Sequence, residues 1–418
     1  MILAGQRRLL AGAPDFRRLF LATLASGAGT WLAVIALTVD VYDRTGSGAW
    51  VSALLAADFL PLIVIGLALG PLVDRLPRQR LLVGADLARL GVFAALPFVG
   101  SAAGIVGLAA AAGCATAFFR PAVYAGLPNL VAAADLPTAN ALFQVADRLT
   151  VMVGPLAGGI AVAAAGPHLA YWLNAASFAV SAALLVRIGA TRLQEGRAPS
   201  QGHWRDLRVG VALLRTSPPL VAVVVVWSLV VVGHGFVNVA EVALAKVTFS
   251  AGDFGFGALF AGFGLGLAAG SFAAARLLAR HGVGRVYPAV VALQGVGVGA
   301  AAAMPTVWAA IPLVVVFGAG NGVAMVANSL LVQRGAPDAL RGRAFTLVMS
   351  ANFAALGVGM AVAGPVLDAL GARWCWAIAA ALCGAAAVAA VSLVQRAEQS
   401  LAEGGHAAAA KAAARSAD

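Results

Sequence analysis

A single carboxylate lies inside a long uncharged stretch of this chain. Between Ala49 and Leu69 the only charged residue is Asp58, about nine residues and therefore about 13 Å into the run at about 1.5 Å per helical residue. Ionisable groups at such depth are costly and usually functional, and a carboxylate there could bind a proton and release it again. Asp147 and Arg148 lie at similar depth in another apolar run. Arg148 is the predicted partner of Asp58, with a permanent ion pair between them as the alternative.

Further polar residues inside apolar runs are candidates for coupling or for contact with a ligand. Asp40 and Glu241 are the next carboxylates to consider for proton binding. Glu241 shares a helical stripe with His234 and Asn238, at spacings of i, i+4 and i+7. The predicted cavity-lining residues are Trp31, Arg120, Asn140, His234, Asn238, Glu241, Asn321 and Asn352. Hydrogen bonds between helices would explain the asparagines equally well, and Arg120 could join a charge relay or extend toward the membrane surface.

The elements that must position these residues are membrane helices. Of 418 residues 61% are hydrophobic and only 11% charged, whereas about a quarter of the residues of a typical soluble protein are charged. Apolar runs of about 20 residues span a bilayer as helices, and these runs are too apolar for barrel strands. The predicted fold class is all-α, with twelve transmembrane helices. They cover residues 17–41, 49–73, 81–99, 103–122, 139–163, 168–189, 218–245, 254–278, 286–304, 306–330, 343–367 and 373–394.

The net charge of +11 follows from topology rather than from nucleic-acid binding. Outside the spans, almost all Lys and Arg residues lie in the N-terminal segment, the even-numbered connections and the tail. Only Arg44, Lys246 and Arg373 lie on the opposite side. The positive-inside rule therefore predicts both termini in the cytoplasm of a bacterial-type cell, in its cytoplasmic (inner) membrane. The expected partners are the lipid bilayer and a small molecule, with no nucleic acid, and the expected state is a monomer.

Enzymatic and nucleotide-driven functions find no support in the motifs. The only lysines are Lys246 and Lys411, and neither completes a phosphate-binding loop. No G-x-S-x-G segment is present. The histidines and cysteines lack metal-ligand spacing. No catalytic residue, metal or cofactor is expected.

The chain divides into two similar parts. The predicted organisation is a six-helix half at 1–189, a cytoplasmic linker at 190–217, a second six-helix half at 218–395 and an Ala-rich cytoplasmic tail at 396–418. Gly154-Pro155 in span 5 has a counterpart in Gly364-Pro365 of span 11. Two pseudo-symmetric six-helix bundles are typical of secondary transporters, whose substrate site lies between the repeats.

Two motifs make the resemblance specific. The segment GPLVDRLPRQR after span 2 resembles the signature that the major facilitator superfamily carries between helices 2 and 3. Its matching residues are Gly70, Asp74, Arg75, Arg78 and Arg80, while Pro77 stands where a glycine is usual. In span 5, the segment GPLAGG resembles the motif of proton-coupled exporters. Its matching residues are Gly154, Pro155, Gly158 and Gly159. The chain is thereby similar to the exporter branch that includes enterobactin exporters, transmembrane secretion effectors and drug–proton antiporters.

The resemblance implies a mechanism for each motif. Asp74 would act as a conformational latch against the N-terminus of span 11 near Arg343, where the helix dipole favours a carboxylate. The neighbouring arginines would take part in the latch or only fix topology. Pro155 and the glycines would allow close helix packing and a bend. The expected function is proton-coupled export of a small amphipathic or lipophilic compound by alternating access. An uptake symporter and a non-transporting receptor of the same fold are the alternatives.

Overall fold

The protein is helical throughout the part of the chain that its structure, a computed structural model, describes. The described residues are 2–73, 76–132, 135–189, 193, 217–336 and 341–415. The helices are α1 (Ile2–Gly12), α2 (Pro14–Thr45), α3 (Gly48–Val73), α4 (Arg78–Ala95), α5 (Ala102–Gly126), α6 (Leu136–Ala165), α7 (Pro167–Val186), α8 (Pro218–Ala243), α9 (Gly252–His281), α10 (Val283–Ala303), α11 (Val307–Gly335), α12 (Arg341–Leu370) and α13 (Ala372–Arg415).

The twelve predicted spans correspond in order to α2–α13, and the all-α membrane fold is confirmed. Within the described residues, 11 helices are long and apolar enough to cross a membrane. The twelfth predicted span is α3, whose first part, Gly48–Pro61, is a shorter apolar helix by the same measure. One feature was not predicted: α1 precedes the first span. The Ala-rich tail, for which a frayed helix and disorder were the two expectations, continues α13 as a helix to Arg415.

Helix boundaries follow local chemistry. Gly46 adopts φ +60° at the end of α2, a left-handed conformation that glycine tolerates best, and α3 begins two residues later. Gly166 and Gly282 separate α6 from α7 and α9 from α10 in the same region of φ. Ser101 caps α5 by accepting a hydrogen bond from the Gly104 amide at 3.2 Å, and Thr306 caps α11 in the same way.

The chain forms two compact units. Unit 1 comprises Met1–Gln201, Val239–Gly264 and Ala363–Ala372, and unit 2 comprises Gly202–Asn238, Leu265–Val362 and Arg373–Asp418. Unit 1 therefore combines the first six spans with short segments of α8, α9 and α12. The division into pseudo-symmetric halves at 1–189 and 218–395 stays a prediction, and most of the predicted linker lies outside the described residues.

Each unit has its own core. In unit 1 an aromatic cluster joins α2, α5 and α6, with Phe16 and Phe143 fully buried and their ring centroids 6.1 Å apart. In unit 2 the core is mostly valine and alanine from α8, α10, α11 and α13, built around buried Tyr287. Both cores are apolar, so the polar groups buried beside them require specific partners.

Candidate proton and substrate sites

A small cavity in unit 1 contains Asp58. Its volume is about 30 Å³, enough for a water molecule. Five helices contribute to its wall, and the polar side chains are Thr30, Thr38, Asp58, Arg89 and Thr116. The three threonines donate to carbonyl oxygens of their own helices at 2.7–3.0 Å. Among the described residues, Asp58 and Arg89 are therefore the charged groups that line this cavity.

Close packing of α5 against α3 defines one wall of the cavity. A Cβ on Gly113 of α5 would lie only 2.5 Å from the Asp58 carbonyl oxygen. Any larger residue at position 113 would push the two helices apart. Gly113 was not singled out in the sequence, because a single glycine in an alanine-rich span carries no distinctive signal.

Arg89 is held rigidly beside the cavity. The side chain is buried, with Nη2 donating to Asp86 and Nε donating to the Ala85 carbonyl at 3.4 Å. Its guanidinium carbon lies 4.3 Å from the ring centroid of Phe119 and 4.4 Å from that of Phe178. Cation–π contacts on two sides and a carboxylate on a third keep the charge in place. The Asp86–Arg89 pair forms as its i, i+3 spacing predicts.

Within the described part of the chain, the cation that shares the cavity with Asp58 is Arg89 of α4. Arg148, the partner predicted from the sequence, lies on α6, and its side chain is outside the described part of the structure. The Asp58–Arg148 pair therefore stays a prediction. The sequence spacing pairs Arg89 with Asp86 alone, since helical spacing identifies partners within a helix and not across helices.

Two further carboxylates predicted to couple protons, Asp40 and Asp147, have partners in the structure. Asp40 is buried, accepts from Arg44 Nε at 2.5 Å and accepts from the Tyr171 hydroxyl at 2.8 Å. Asp147 accepts from Arg120 Nη2 and from the Tyr124 hydroxyl, both at 3.4 Å. These contacts give both carboxylates a structural role, joining α2 to α7 and α5 to α6.

The latch segment is described only in part. Gly70 lies on α3, whereas Asp74 and Arg75 lie outside the described residues. Arg78 begins α4 and donates to the carbonyl oxygens of Ala125 and Leu193 at 3.0 and 2.9 Å. Arg80 is exposed.

Gln79, which the sequence analysis did not select, also contributes to this turn. Its amide nitrogen donates to the carbonyl oxygens of Leu185, Val186 and Ile188. Together with Arg78 it ties the start of α4 to the ends of α5 and α7. The start of α4 is therefore held by hydrogen bonds to backbone carbonyl oxygens.

The exporter motif packs α6 against two helices at once. A Cβ on Gly154 would lie 2.6 Å from Trp31 Cβ, and a Cβ on Gly158 would lie 2.5 Å from the Leu32 carbonyl oxygen. Both partners are on α2. On the other face of α6, a Cβ on Gly159 would lie 3.0 Å from Gly257 Cα of α9.

Pro155 belongs to that second face, because a Cβ on Gly257 would lie 2.8 Å from its carbonyl oxygen. The motif thus contains two glycine faces rather than one. Trp31 continues the contact with α9, since its ring centroid lies 5.8 Å from that of Phe260.

Unit 2 contains a cluster of neutral polar side chains. Asn321 Nδ2 donates to Gln294 Oε1 at 3.3 Å and lies 3.4 Å from His234 Nε2. The His234 ring also packs edge-on against Phe317, at 5.0 Å between centroids. Gln294 of α10 is fully buried, and no pattern in the sequence singles it out. Helical spacing identifies only neighbours of Gln294 within α10, whereas its hydrogen-bond partners Asn321 and His234 come from α11 and α8.

The remaining predicted cavity residues are dispersed. Asn140 is exposed and donates to the Leu136 carbonyl of its own helix at 3.0 Å. Asn238 is half-buried and Glu241 is buried, both on α8. Asn352 of α12 is half-buried, and its Oδ1 has no hydrogen-bond partner among the described residues. The structure therefore brings together His234 and Asn321, and it pairs Arg120 with Asp147.

Comparison with known proteins identifies the family. The profile of the major facilitator superfamily's transmembrane secretion effectors matches residues 12–412. The chain belongs to this family. As a transmembrane secretion effector it is a multi-pass secondary transporter of small molecules and not an enzyme.

Curated relatives of this secretion effector include efflux proteins. It is 28% identical over 370 residues to the multidrug efflux pump Tap of Mycolicibacterium fortuitum, covering 84% of this chain and 88% of that protein. It is 27% identical over 368 residues to the enterobactin exporter EntS of Salmonella typhimurium, covering 85% of this chain and 86% of that protein.

Solved structures confirm the fold of the secretion effector. A mutant of the peptide transporter POT in complex with alafosfalin superposes with a TM-score of 0.76 at 13% identity, covering 94% of this chain and 98% of that one. The nucleoside transporter NupG superposes with a TM-score of 0.70 at 15% identity, covering 91% of this chain and 99% of that one. At these identities the likeness extends to the fold alone.

Proposed function

We propose that this secretion effector exports small amphipathic or lipophilic compounds, such as drugs, siderophores or secondary metabolites, in exchange for protons. It would work by alternating access in a bacterial cytoplasmic membrane, with both termini in the cytoplasm. The functions of its relatives, multidrug efflux for Tap and enterobactin export for EntS, support the direction of transport. The two-faced glycine packing of the exporter motif supports it as well.

The observation that carries proton coupling is the charge composition around the unit 1 cavity. Asp58 and Arg89 line the cavity, and Asp86 pairs with the same Arg89. Among the described residues these groups are two carboxylates and one guanidinium, which are electrically neutral when they hold one proton and carry a net negative charge without it. Since charge is costly in apolar surroundings, proton binding at Asp58 can be linked to the conformational change of the transporter.

The observation that supports an amphipathic substrate is the polar cluster of unit 2. His234, Asn321 and Gln294 offer hydrogen-bond donors and acceptors without net charge beside the ring of Phe317. Pockets that bind drug-sized molecules combine apolar walls with a few polar groups of this kind. A substrate with a strong charge would lack a counter-ion in this cluster.

Transport into proteoliposomes tests the coupling. With an imposed pH gradient the purified protein should accumulate substrate, and collapse of the gradient should abolish accumulation while ATP has no effect. Asp58→Asn should lose accumulation against a gradient yet retain exchange of labelled for unlabelled substrate.

Asp40→Asn is the matched control, because it alters another buried carboxylate that already has hydrogen-bond partners. Uphill accumulation by Asp58→Asn would exclude Asp58 as the proton carrier, and a loss confined to Asp40→Asn would transfer that role to Asp40. Accumulation in the opposite direction would support an uptake symporter, and ligand binding without any flux would support a receptor.

The latch at Asp74 is part of the same proposal. Asp74→Asn keeps the size of the side chain and removes the charge that a helix N-terminus favours. Transport should fall sharply while the amount of protein in the membrane stays the same. Normal transport by this variant would leave Asp74 with a role in topology only.

Orientation can be tested with single cysteines in intact cells. A cysteine at Gln201, in the linker, should resist impermeant thiol reagents added outside, whereas one at Gly100, in the α4–α5 connection, should react. Gly100 suits the test because a Cβ there meets no other atom within 4 Å. The reverse labelling pattern would contradict the proposed topology.

A further inference from the structure

Four charged residues gather at the end of unit 1 where α2 ends and α3 begins. Asp43 lies in the last turn of α2, and Lys246 lies in the π-helical segment Leu244–Thr248 that follows α8. Asp253 lies in the first turn of α9, and Asp368 in the last turn of α12. None of them was a predicted site residue. We call these four residues the α2–α3 end cluster.

Lys246 joins three helices by ion pairs. Its Nζ lies 2.6 and 2.8 Å from the two carboxylate oxygens of Asp43, and 2.6 Å from Asp253 Oδ1. The lysine side chain is only 18% exposed, whereas Asp43 is half exposed. Removing the ammonium would leave two carboxylates facing each other with no cation between them, which favours separation of α2 from α9.

Asp368 caps the N-terminus of α3 from another helix. Its Oδ1 accepts from the Gly48 amide at 2.5 Å, and its Oδ2 accepts from the Ser47 hydroxyl at 2.9 Å and the Ala49 amide at 3.2 Å. A carboxylate at a helix N-terminus satisfies free amides and interacts favourably with the helix dipole. This N-cap comes from a residue more than 300 positions away in the chain.

Glycines allow the backbones to approach beneath these charges. A Cβ on Gly364 of α12 would lie 2.8 Å from Ala49 Cα, and one on Gly257 of α9 would lie 2.8 Å from the Pro155 carbonyl oxygen. Both contacts join a helix of the first six spans to one of the last six. The charged contacts therefore lie over tightly packed helix pairs, α3 with α12 and α6 with α9.

The placement of Asp368 mirrors that predicted for Asp74. Asp74 directly follows the C-terminal end of α3 and is predicted to face the N-terminus of α12. Asp368 lies at the C-terminal end of α12 and caps the N-terminus of α3. With the predicted placement of Asp74, the same two helices would carry a carboxylate at each end, and a transporter that alternates between two states needs a separate restraint for each.

We propose that the α2–α3 end cluster is a lock that holds the helices of the two halves together at this end of the molecule. The lock is engaged in the state that the structure shows, and it must open for the alternate state. The proposal rests on the alternating access of the proposed function, but it does not depend on which ion is coupled or which compound is exported.

Distance measurements between two spin labels test the lock. The labels are attached to cysteines at Trp50 of α3 and Leu370 of α12, both exposed at this end. The full-length protein, with Cys114, Cys375 and Cys383 replaced by alanine, is placed in lipid nanodiscs without substrate or gradient. Double electron–electron resonance should show mainly a short distance in the parent protein.

Lys246→Gln and Asp368→Asn should each shift the ratio of long to short distances about tenfold toward the long one, since each removes charge-assisted hydrogen bonds. Asp43→Asn should shift it less, because Lys246 keeps Asp253. Arg8→Gln is the matched control: it removes a cation from an exposed pair with Asp135, at 3.7 Å, far along unit 1. It should leave the distances unchanged.

Size-exclusion profiles and melting temperatures identify any variant that fails to fold. The distances measured in the well-folded variants then decide whether the cluster is a lock. Unchanged distances in well-folded variants, an equal shift in Arg8→Gln, or absence of the short distance in the parent protein would each overturn the lock. Because no gradient is present, loss of proton coupling in Asp58→Asn has no bearing on this result.

Discussion

The two units bury different kinds of polar groups. Among the described residues, the buried charged side chains all belong to unit 1, namely Asp15, Asp40, Asp86, Arg89 and Glu241. The buried polar groups described in unit 2 carry no charge: they include the amides of Gln294, Asn321 and Asn328 and the Tyr287 hydroxyl, which donates to Asn328. A carboxylate changes its charge when it binds a proton, whereas an amide stays neutral and offers only hydrogen bonds. The difference suits a transporter in which one unit couples to an ion gradient and the other recognises a neutral or weakly charged compound.

The largest expected difference between the units concerns stability. Arg89→Ala leaves Asp86 buried without its cation, and breaking a buried pair from one side costs about 3–5 kcal/mol. Gln294→Leu removes one amide from the unit 2 cluster and should cost about 1–2 kcal/mol. Thermal unfolding of the detergent-solubilised variants measures both. Equal losses of stability in the two variants would contradict the view that the buried charges of unit 1 depend on their partners more than the amides of unit 2 do.

Close glycine packing is the feature that both units share, and it should respond alike in both. Gly257→Leu in unit 1 and Gly322→Leu in unit 2 each place a side chain against the backbone of a neighbouring helix. Overpacking of this kind should cost about 1–3 kcal/mol in each case. Gly357→Leu is the control, since a Cβ at position 357 meets nothing within 4 Å. A loss in only one unit would show that packing, and not only charge, distinguishes them.

The neutral cluster of unit 2 should affect which compound is carried without affecting coupling. Asn321→Leu removes the donor to Gln294 and the contact with His234. The KM of some substrates should rise about tenfold, as expected for loss of one hydrogen bond to a buried group, while others change little. Accumulation driven by a pH gradient should persist for the tolerated compounds. If Asn321→Leu uncouples transport instead, the division of labour between the units is wrong.

The smallest effect is expected for an exposed pair within unit 1. Arg120 and Asp147 are 57% and 37% exposed, with 3.4 Å between their nearest atoms. Exposed pairs contribute about 0.2–1 kcal/mol, so Arg120→Gln should lower the melting temperature only slightly. Comparison with Arg89→Ala then separates the effect of burial from that of charge, because both variants remove an arginine from the same unit. A large loss for Arg120→Gln would imply that this pair is less hydrated than its exposure indicates.

The sequence alone determined the helices and the family. Twelve apolar runs of about 20 residues leave no other way to satisfy the backbone in lipid, and the helix boundaries follow from glycines, prolines and caps that act locally. The short motifs at Gly70–Arg80 and Gly154–Gly159 were sufficient to indicate the superfamily. The Asp86–Arg89 pair was also predictable, because its partners lie one turn apart on a single helix.

Only the tertiary structure decided which charged groups meet. Asp58 shares its cavity with Arg89 from the next helix, Gln294 joins Asn321 and His234 from two other helices, and Asp368 caps α3 from the far end of the chain. Helical periodicity predicts which face of a helix a residue occupies, but it contains no information on the rotation and depth at which two helices pack. Those are set by where glycines allow the backbones to approach, and this depends on both surfaces of each contact at once.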